Sequence, residues 1–491
     1  MRKLIAAVIK TGASSVVILF LNMASIKVVA MLLGPAGVGL FTLIRQTVLA
    51  LGSVSQGGQT ALVQGITSKS GEDRDAYVRS VFWLFLLGTF FTVLLIEIFA
   101  STIAELLVGN KVDDFTSVIK WIALPVVLLN IHIYLKGILN GFRAIGRLAL
   151  VEVFGPFAMI ILIYPVCILA GKGDTLAFIW LLSVVQLVMV LPSFLIAYRN
   201  GWLLPITRKT FSCIDRKSAR HFFSMAGTIF VTAMLGAVVL LVVRGMIIRN
   251  TNLSEAGMFD LAWALSGSYV MLLLSSFGTY YLPTLNGAAG ASDKADLIRL
   301  VSRVAVLLMV PMIIGVVLLK PLLVELLYSA EFLPSLELVR WMLIGDYFKI
   351  TSWVLAIPAL AKLDMKTYFW TETFWYVGFM LLSALSIFGF GQLQGIGIAF
   401  TVLYLCLVIY YAMYVQREYK LRMDSKLIII WTIGLFLVVM ASWQNWDSTI
   451  VDWKVCLFWA GICIVFLWGA LNKNERLKLR KIRIGGWSAK N

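Results

Sequence analysis

Apolar stretches of about twenty residues recur about fourteen times along this chain, from near residue 18 to near residue 463, with short polar connections between them. A stretch of that length crosses the ~30 Å hydrocarbon core of a bilayer as an α-helix. Lipid offers no partner to backbone N–H and C=O groups, so a chain built this way is confined to helices that satisfy their own hydrogen bonds. With 60% hydrophobic residues and a mean hydropathy of +0.92, the 491 residues have too little polar surface for a water-soluble globule. The sequence therefore predicts an all-α polytopic membrane protein.

Residues 22–46, NMASIKVVAMLLGPAGVGLFTLIRQ, hold the feature with the most chemistry in it. Two apolar stretches meet at a Gly-Pro-Ala-Gly turn, with Lys27 before it and Arg45 after it. At 1.5 Å per residue the two cations lie roughly 10 Å and roughly 12 Å from the turn, at a similar depth. A charge at the bilayer centre costs on the order of 3 kcal/mol, and two like charges at one depth do not neutralise each other. Such groups by default face water or a partner, and their sign selects an anion. Arginine offers phosphate a planar fork and lysine a point charge, so the pair favours a phosphate or an acidic sugar.

The net charge of +17 is distributed by side of the membrane. Of the 42 Lys and Arg, 29 fall in the connections of one side, 4 in those of the other, and 9 within or at the ends of spans. By the positive-inside rule both termini are expected in the cytoplasm. No soluble basic patch forms, so nucleic acid is not an expected partner. The start, MRKLIAAVIKTGASS, imitates a signal peptide, but Lys10 interrupts its apolar run, which continues past Phe20; an uncleaved first span is expected. The outer connections are short, and none is large enough to be a catalytic domain.

An internal repeat runs at a constant shift of 220 residues: AELLVGN at 104–110 matches VELLYSA at 324–330, IKWIALP at 119–125 matches VRWMLIG at 339–345, and Glu152 matches Glu372. Six spans separate each pair, an even number, so the halves are expected to have parallel topology, an arrangement used by transporters that bind at the repeat interface. The expected organisation is an N-lobe at 1–198, a cytoplasmic linker at 199–220, a C-lobe at 221–415, an added helix pair at 416–472 and a basic tail at 473–491.

Further charges lie in the spans. Lys136 falls in span four, Arg244 near the outer end of span seven, and Asp346 and Lys349 on span ten; Glu97, Glu152, Asp260 and Glu372 are the buried or half-buried acids. Under the repeat shift Lys27 lands at position 247, one helical turn from Arg244. Lys27, Arg45, Arg244, Lys349 and Lys136 are thus candidates for anion binding, and Asp346, Asp260, Glu152 and Glu372 for coupling or gating. Competing readings stand beside these. Asp346 and Lys349, three apart on one helix face, can neutralise each other. Glu152 and Glu372 open helices after basic connections, where the helix dipole favours an acid. Lys10, Lys120 and Arg340 near span ends fit interfacial snorkelling, the last two beside Trp121 and Trp341. His132 and His221 stand alone, and His132 reads as a packed polar residue.

No nucleophile with a base, no metal-ligand spacing and no P-loop occurs, so neither catalysis nor a cofactor nor ATP-driven transport is expected. The five cysteines are scattered without framework spacing. Small residues in GSVSQGGQ, SGSY and SSFG permit close helix approach.

LGPAGVGLFTLIRQ with Lys27 eight residues before Pro35, NGFR at 140–143, SFGTYYLPTL at 276–285 and LIGDYFKI at 343–350 resemble the Wzx-type flippases of O-antigen and enterobacterial common antigen. Those belong to the multidrug/oligosaccharidyl-lipid/polysaccharide (MOP) superfamily. The resemblance spans about residues 5–415. It implies two six-helix lobes around a V-shaped central cavity that rocks between inward-open and outward-open states. The substrate it implies is an undecaprenyl-pyrophosphate-linked oligosaccharide, moved from the cytoplasmic to the periplasmic leaflet of a bacterial inner membrane. A polysaccharide polymerase and a chain-length regulator are the partners that go with such a role, beside membrane lipids. Spans thirteen and fourteen depart from twelve-span relatives; in lipid II flippases the extra pair is thought to form a groove for the lipid tail. A drug/cation antiporter of the same superfamily is the rival reading, disfavoured by the cationic residues, and a polymerase, a ligase or an assembly scaffold is the rival from another class.

Overall fold

The computed structural model describes residues 2–471, apart from 110–111, 113, 208–213, 288–289 and 421–423. The basic tail from Lys473, Cys213 and the side chains of Lys10, His221, residues 53–57 and most of SFGTYYLPTL lie outside the described residues. Every described element is helical: α1 (Arg2–Ser68), α2 (Gly71–Val108), α3 (Phe115–Trp121), α4 (Ala123–Gly141), α5 (Ile145–Gly171), α6 (Leu176–Arg199), α7 (Leu204–Thr207), α8 (Arg216–Asn250), α9 (Leu253–Gly287), α10 (Ala291–Leu327), α11 (Leu336–Ala361), α12 (Met365–Ala384), α13 (Gln394–Glu418), α14 (Ser425–Gln444) and α15 (Trp453–Ala470). A 3₁₀ segment, Ala330–Ser335, precedes α11, and a π-helical turn, Leu385–Phe390, follows α12.

At 67 residues α1 would be about 100 Å long if straight, some three times the hydrocarbon thickness. It is broken at Gly34, whose φ of 62° and ψ of −163° lie where a side chain is not tolerated. A Cβ built there would also stand 2.7 Å from Glu331 Oε2. Pro35 follows at the first position of the next helix, where it has no hydrogen bond to lose and its fixed φ is already helical. The expected four-residue turn is therefore a break at one residue, because Pro35, Ala36 and Gly37 already belong to the second half.

Among the described residues, twelve segments are long and apolar enough to cross a membrane; the first of them, Val16–Gly52, straddles the Gly34 break. Two spanning-length halves of α1, the other eleven segments and the 35-residue α9 account for the fourteen spans read from the sequence. This is an all-α polytopic membrane protein.

The 220-residue shift recurs in the helix boundaries. α4 ends at Gly141 and α11 at Ala361, α5 begins at Ile145 and α12 at Met365, and α2 begins at Gly71 and α10 at Ala291, each pair 220 residues apart. The two copies differ at several joints: α3 and α4 are separated at Ile122, whereas α11 runs unbroken from Leu336 to Ala361. Where the first has the single-residue break at Gly34, the second interrupts the helix at Thr251–Asn252 between α8 and α9.

Two compact units form. The first comprises Met1–Leu261, Leu327–Phe332 and Glu372–Leu393; the second comprises Ala262–Leu326, Leu333–Thr371 and Gln394–Asn491. Packing in one conformation and descent from a repeat are separate properties. In the first unit α1 packs on α4, α5 and α8, and α6 on α4 and α5. In the second, α11 packs on α13 and α14. Outward faces are apolar, as on α2 (Phe90, Phe91, Leu95, Ile98) and α15 (Leu457, Ile464, Val465), the inverse of a water-soluble surface.

Candidate functional site

Within the first unit, α1, α4, α5, α6 and α8 enclose a cavity of about 640 Å³. Helical spacing puts its polar groups on one wall each. On α4, His132 and Lys136 are one turn apart and share a face. On α5, Glu152, Pro156 and Met159 follow the same stripe, and on α6 so do Leu182, Val185, Gln186 and Met189. The second half of α1 contributes Arg45, Gln59 and Thr60, and the first half Asn22. Pro156 has no N–H to give the Glu152 carbonyl, which leaves the backbone less tied just where the carboxylate enters the cavity.

The charged groups are ordered around Glu152. Lys136 Nζ donates to Glu152 Oε2 at 3.1 Å, and His132 Nε2 lies 3.1 Å from Glu152 Oε1. His132 is buried, and its Nδ1 has no hydrogen-bond partner. A neutral ring that donates through Nε2–H leaves only a lone pair unsatisfied there, which costs less than a buried N–H. Lys136, Glu152 and Arg45 are half-buried, open to the cavity on one side. With His132 neutral, the charged lining is Arg45 and Lys136 against Glu152, a net positive wall. The Gln186 carbonyl oxygen is buried without a partner. Amides and a hydroxyl (Asn22, Gln59, Gln186, Thr60) complete a lining suited to an anion that carries hydroxyl groups.

A second polar cluster in the same unit is closed. Arg244 and Asp260 are both buried, with Arg244 Nε donating to Asp260 Oδ1 at 2.6 Å and the Thr42 hydroxyl donating to the other carboxylate oxygen. Arg244 also lies 5.5 Å from the centre of the Phe259 ring. Both carboxylate oxygens of Asp260 are thus used within the protein.

In the second unit Asp346 is fully buried and accepts hydrogen bonds from Ser266 Oγ at 2.5 Å and from the Tyr269 hydroxyl. Lys349 Nζ sits 5.4 Å from the Phe400 ring centre and 6.0 Å from that of Tyr404. These two residues thus have partners of their own beyond each other.

Of the residues selected from the sequence, Arg45, Lys136 and Glu152 meet at one cavity, while Arg244 and Asp260 meet in a sealed pair. Lys27 is half-buried on the first half of α1 and Glu372 on α12, and neither is among the described lining residues. Glu97 is exposed on α2, not buried. Arg340 departs from the snorkelling expectation. It is buried, bonded to Asp447 at 3.0 Å and placed 4.7 Å from the Trp446 ring, because the connection after α14 folds over it. His132 was legible only as a packed polar residue, yet it joins the cavity wall; its spacing of four from Lys136 was the available signal. Among the described residues no group of three His, Cys, Asp and Glu side chains stands close enough to hold a metal ion.

No protein-family model matches the sequence. The chain is 24% identical over 375 residues to the lipid III flippase of Escherichia coli K12, covering 74% of this chain and 86% of that protein. The lipid III flippase of Shigella flexneri matches to the same extent. Among solved structures, an inward-facing multidrug resistance MATE family transporter of the MOP superfamily superposes with a TM-score of 0.69 at 14% identity, over 82% of this chain and 95% of that one. The lipid II flippase MurJ in an inward closed conformation gives 0.64 at 17% identity, over 95% and 98%. The fold is that of the MOP-superfamily transporters. A MOP transporter from Pyrococcus furiosus, described as having a binding pocket of reversed polarity, is also similar, with a TM-score of 0.56 at 16% identity over 83% and 94%.

Proposed function

We propose that this chain is a flippase for a lipid-linked oligosaccharide, working by alternating access and not by catalysis. The observation that carries this reading is the cavity where Arg45 and Lys136 stand among amide and hydroxyl groups. Cations in a low-dielectric cleft concentrate anions, and the neutral polar groups suit the hydroxyls of a sugar. Similarity to lipid III flippases over most of both chains supports the same class of substrate. The substrate in this reading is an undecaprenyl-pyrophosphate-linked unit of O-antigen or a related surface polysaccharide. It moves from the cytoplasmic to the periplasmic leaflet of a bacterial inner membrane, with both termini in the cytoplasm and the lobes at 1–198 and 221–415 as the moving bodies. A polysaccharide polymerase and a chain-length regulator would act beside it.

Arg45 and Lys136 are assigned the anionic group, and Arg244 a structural part through Asp260. In the second unit an apolar cavity of about 190 Å³, walled by α10, α11, α13 and α14, offers room for part of a lipid tail beside the added helix pair.

The test is leaflet translocation of a polyprenyl-pyrophosphate-linked oligosaccharide in vesicles holding the purified chain. A charge-assisted hydrogen bond contributes about 1.5–3 kcal/mol, so Arg45→Ala or Lys136→Ala is expected to slow transport about tenfold or more. Wild-type rates in the double variant would place the substrate elsewhere. Transport of a cationic drug in place of the lipid-linked sugar would favour the antiporter.

A further inference from the structure

The cavity contains a carboxylate in the position an anionic ligand would take. Glu152 uses both oxygens, one on Lys136 Nζ and one on His132 Nε2, each at 3.1 Å. These donors come from one face of α4, while the carboxylate reaches them from α5 beside Pro156. A phosphate oxygen has the same charge and the same hydrogen-bonding needs as that carboxylate. Two anions cannot share these donors without repulsion in a partly desolvated cleft.

Resting on the reading of this cavity as the anion site, we infer that Glu152 is an internal stand-in for the substrate's anionic group and leaves its place on Lys136 and His132 by taking up a proton. The step balances simply. One proton from a hydronium ion or a buffer acid joins a Glu152 oxygen, leaving water or the buffer base; the carboxylate becomes a neutral acid, and the ligand's oxygen takes over Lys136 and His132. The titratable and charged groups facing Glu152 are His132 and Lys136 from α4 and Arg45 from α1; α6 and α8 contribute Gln186 and Ala233, which carry no charge. Proton and anion therefore bind together, and by linkage each raises the affinity for the other. A drug antiporter that trades a proton for a cation has the opposite sign.

The experiment uses the full chain in detergent with inorganic pyrophosphate as the probe, by calorimetry from pH 6 to pH 8 in buffers of different ionisation enthalpy. The wild type is expected to take up a proton on binding and to lose affinity as pH rises, by at most about tenfold per pH unit for one coupled proton. Glu152→Gln, which keeps the shape without the charge, is expected to bind about tenfold tighter at pH 8 and to lose the proton uptake. Equal or weaker binding by Glu152→Gln, retained uptake in that variant, or no binding by either protein overturns the inference. If Glu152→Gln does not fold, His132→Gln decides: retained uptake leaves the proton on Glu152, and lost uptake moves it to the imidazole and overturns the assignment. Pyrophosphate binding that follows Glu152 without any translocation of lipid-linked oligosaccharide would overturn the flippase reading alone. Translocation with Glu152-independent binding would overturn this inference alone.

Discussion

Arg244 on α8 and Asp260 on α9 form an ion pair sealed from solvent, with Arg244 Nη2 and Nε at 2.5 and 2.6 Å from the same carboxylate oxygen. The second oxygen is taken by Thr42 from the second half of α1, so three helices are tied at one point. A buried charge left without its partner costs about 3–5 kcal/mol, whereas replacing both partners by apolar groups is often neutral. Asp260→Asn or Arg244→Met alone is therefore expected to lower the melting temperature of the purified protein sharply. The double variant Arg244→Met with Asp260→Leu should recover most of the loss. A single variant as stable as wild type would show that water reaches the pair.

The same region sets how closely two helices approach. A Cβ at Gly39 would lie 2.2 Å from the Leu253 carbonyl oxygen, and one at Gly257 only 2.1 Å from that of Pro35. Backbone faces backbone here, so no side chain can move aside. Gly257→Ala is expected to cost at least the ~1–3 kcal/mol typical of overpacking and to lower the melting temperature. Gly315→Ala on α10 meets nothing within 4 Å and is expected to be neutral or, by helix propensity, up to about 1 kcal/mol stabilising. Matching losses in the two variants would refute the packing argument.

These cases show what the sequence could and could not reveal. Spans were legible because the bilayer fixes their length, and the Gly34-Pro35 break because only glycine fits that backbone while proline suits the start of the next helix. Arg45 was legible as a cation isolated in an apolar run. The meeting of Lys136 with Glu152 was not, because α5 is apolar nearly all round and gives no sign of which face looks inward. Arg340 misled for a related reason: Asp447, which covers it, lies 107 residues away in a short polar connection. Lys320 went unremarked in VVLLKPLLVE, although a lone cation there needed a partner as much as Lys27 did.

That partner is the C-terminal end of α14. Lys320 is buried, and its Nζ donates to the carbonyl oxygens of Asn445 at 2.6 Å and Trp446 at 3.3 Å. The last carbonyls of a helix lack intrahelical donors and carry its negative dipole end, so a cation there satisfies both. Together with the Tyr347 hydroxyl bonded to the Trp431 carbonyl at 2.6 Å, this fastens α14 to α10 and α11. Lys320→Met removes the donor and leaves buried carbonyls unsatisfied, at about 1–3 kcal/mol. The expected outcome is faster protease cleavage in the connection between α14 and α15, measured against wild type at equal temperature. Unchanged cleavage would mean that the ring contacts of Tyr347 with Trp431 and of Trp341 with Trp446 hold α14 by themselves.

Outside the spans, Asp215 caps α8. Its backbone is extended, and its Oδ2 accepts from the Ser218 N–H at 2.8 Å, while its own N–H donates to Ser80 Oγ on α2 at 2.9 Å. The Ser218 backbone hydrogen bond holds the Asp215 carboxyl below the usual carboxylate range. A group whose pKa is lower folded than unfolded contributes stability that is fully present above its unfolded value, about 3.9, and is lost as pH falls through the folded value. Losing an N-cap costs about 1 kcal/mol. Asp215→Ala should thus melt below wild type at pH 7, and the gap should narrow as the pH is taken below 4. Asp215→Ser keeps a capping oxygen without a titrating charge, so its melting temperature relative to Asp215→Ala should stay constant with pH. A gap between wild type and Asp215→Ala that persists undiminished at pH 3 would show that the carboxylate charge adds nothing to the cap, since both proteins keep the backbone bond to Ser80.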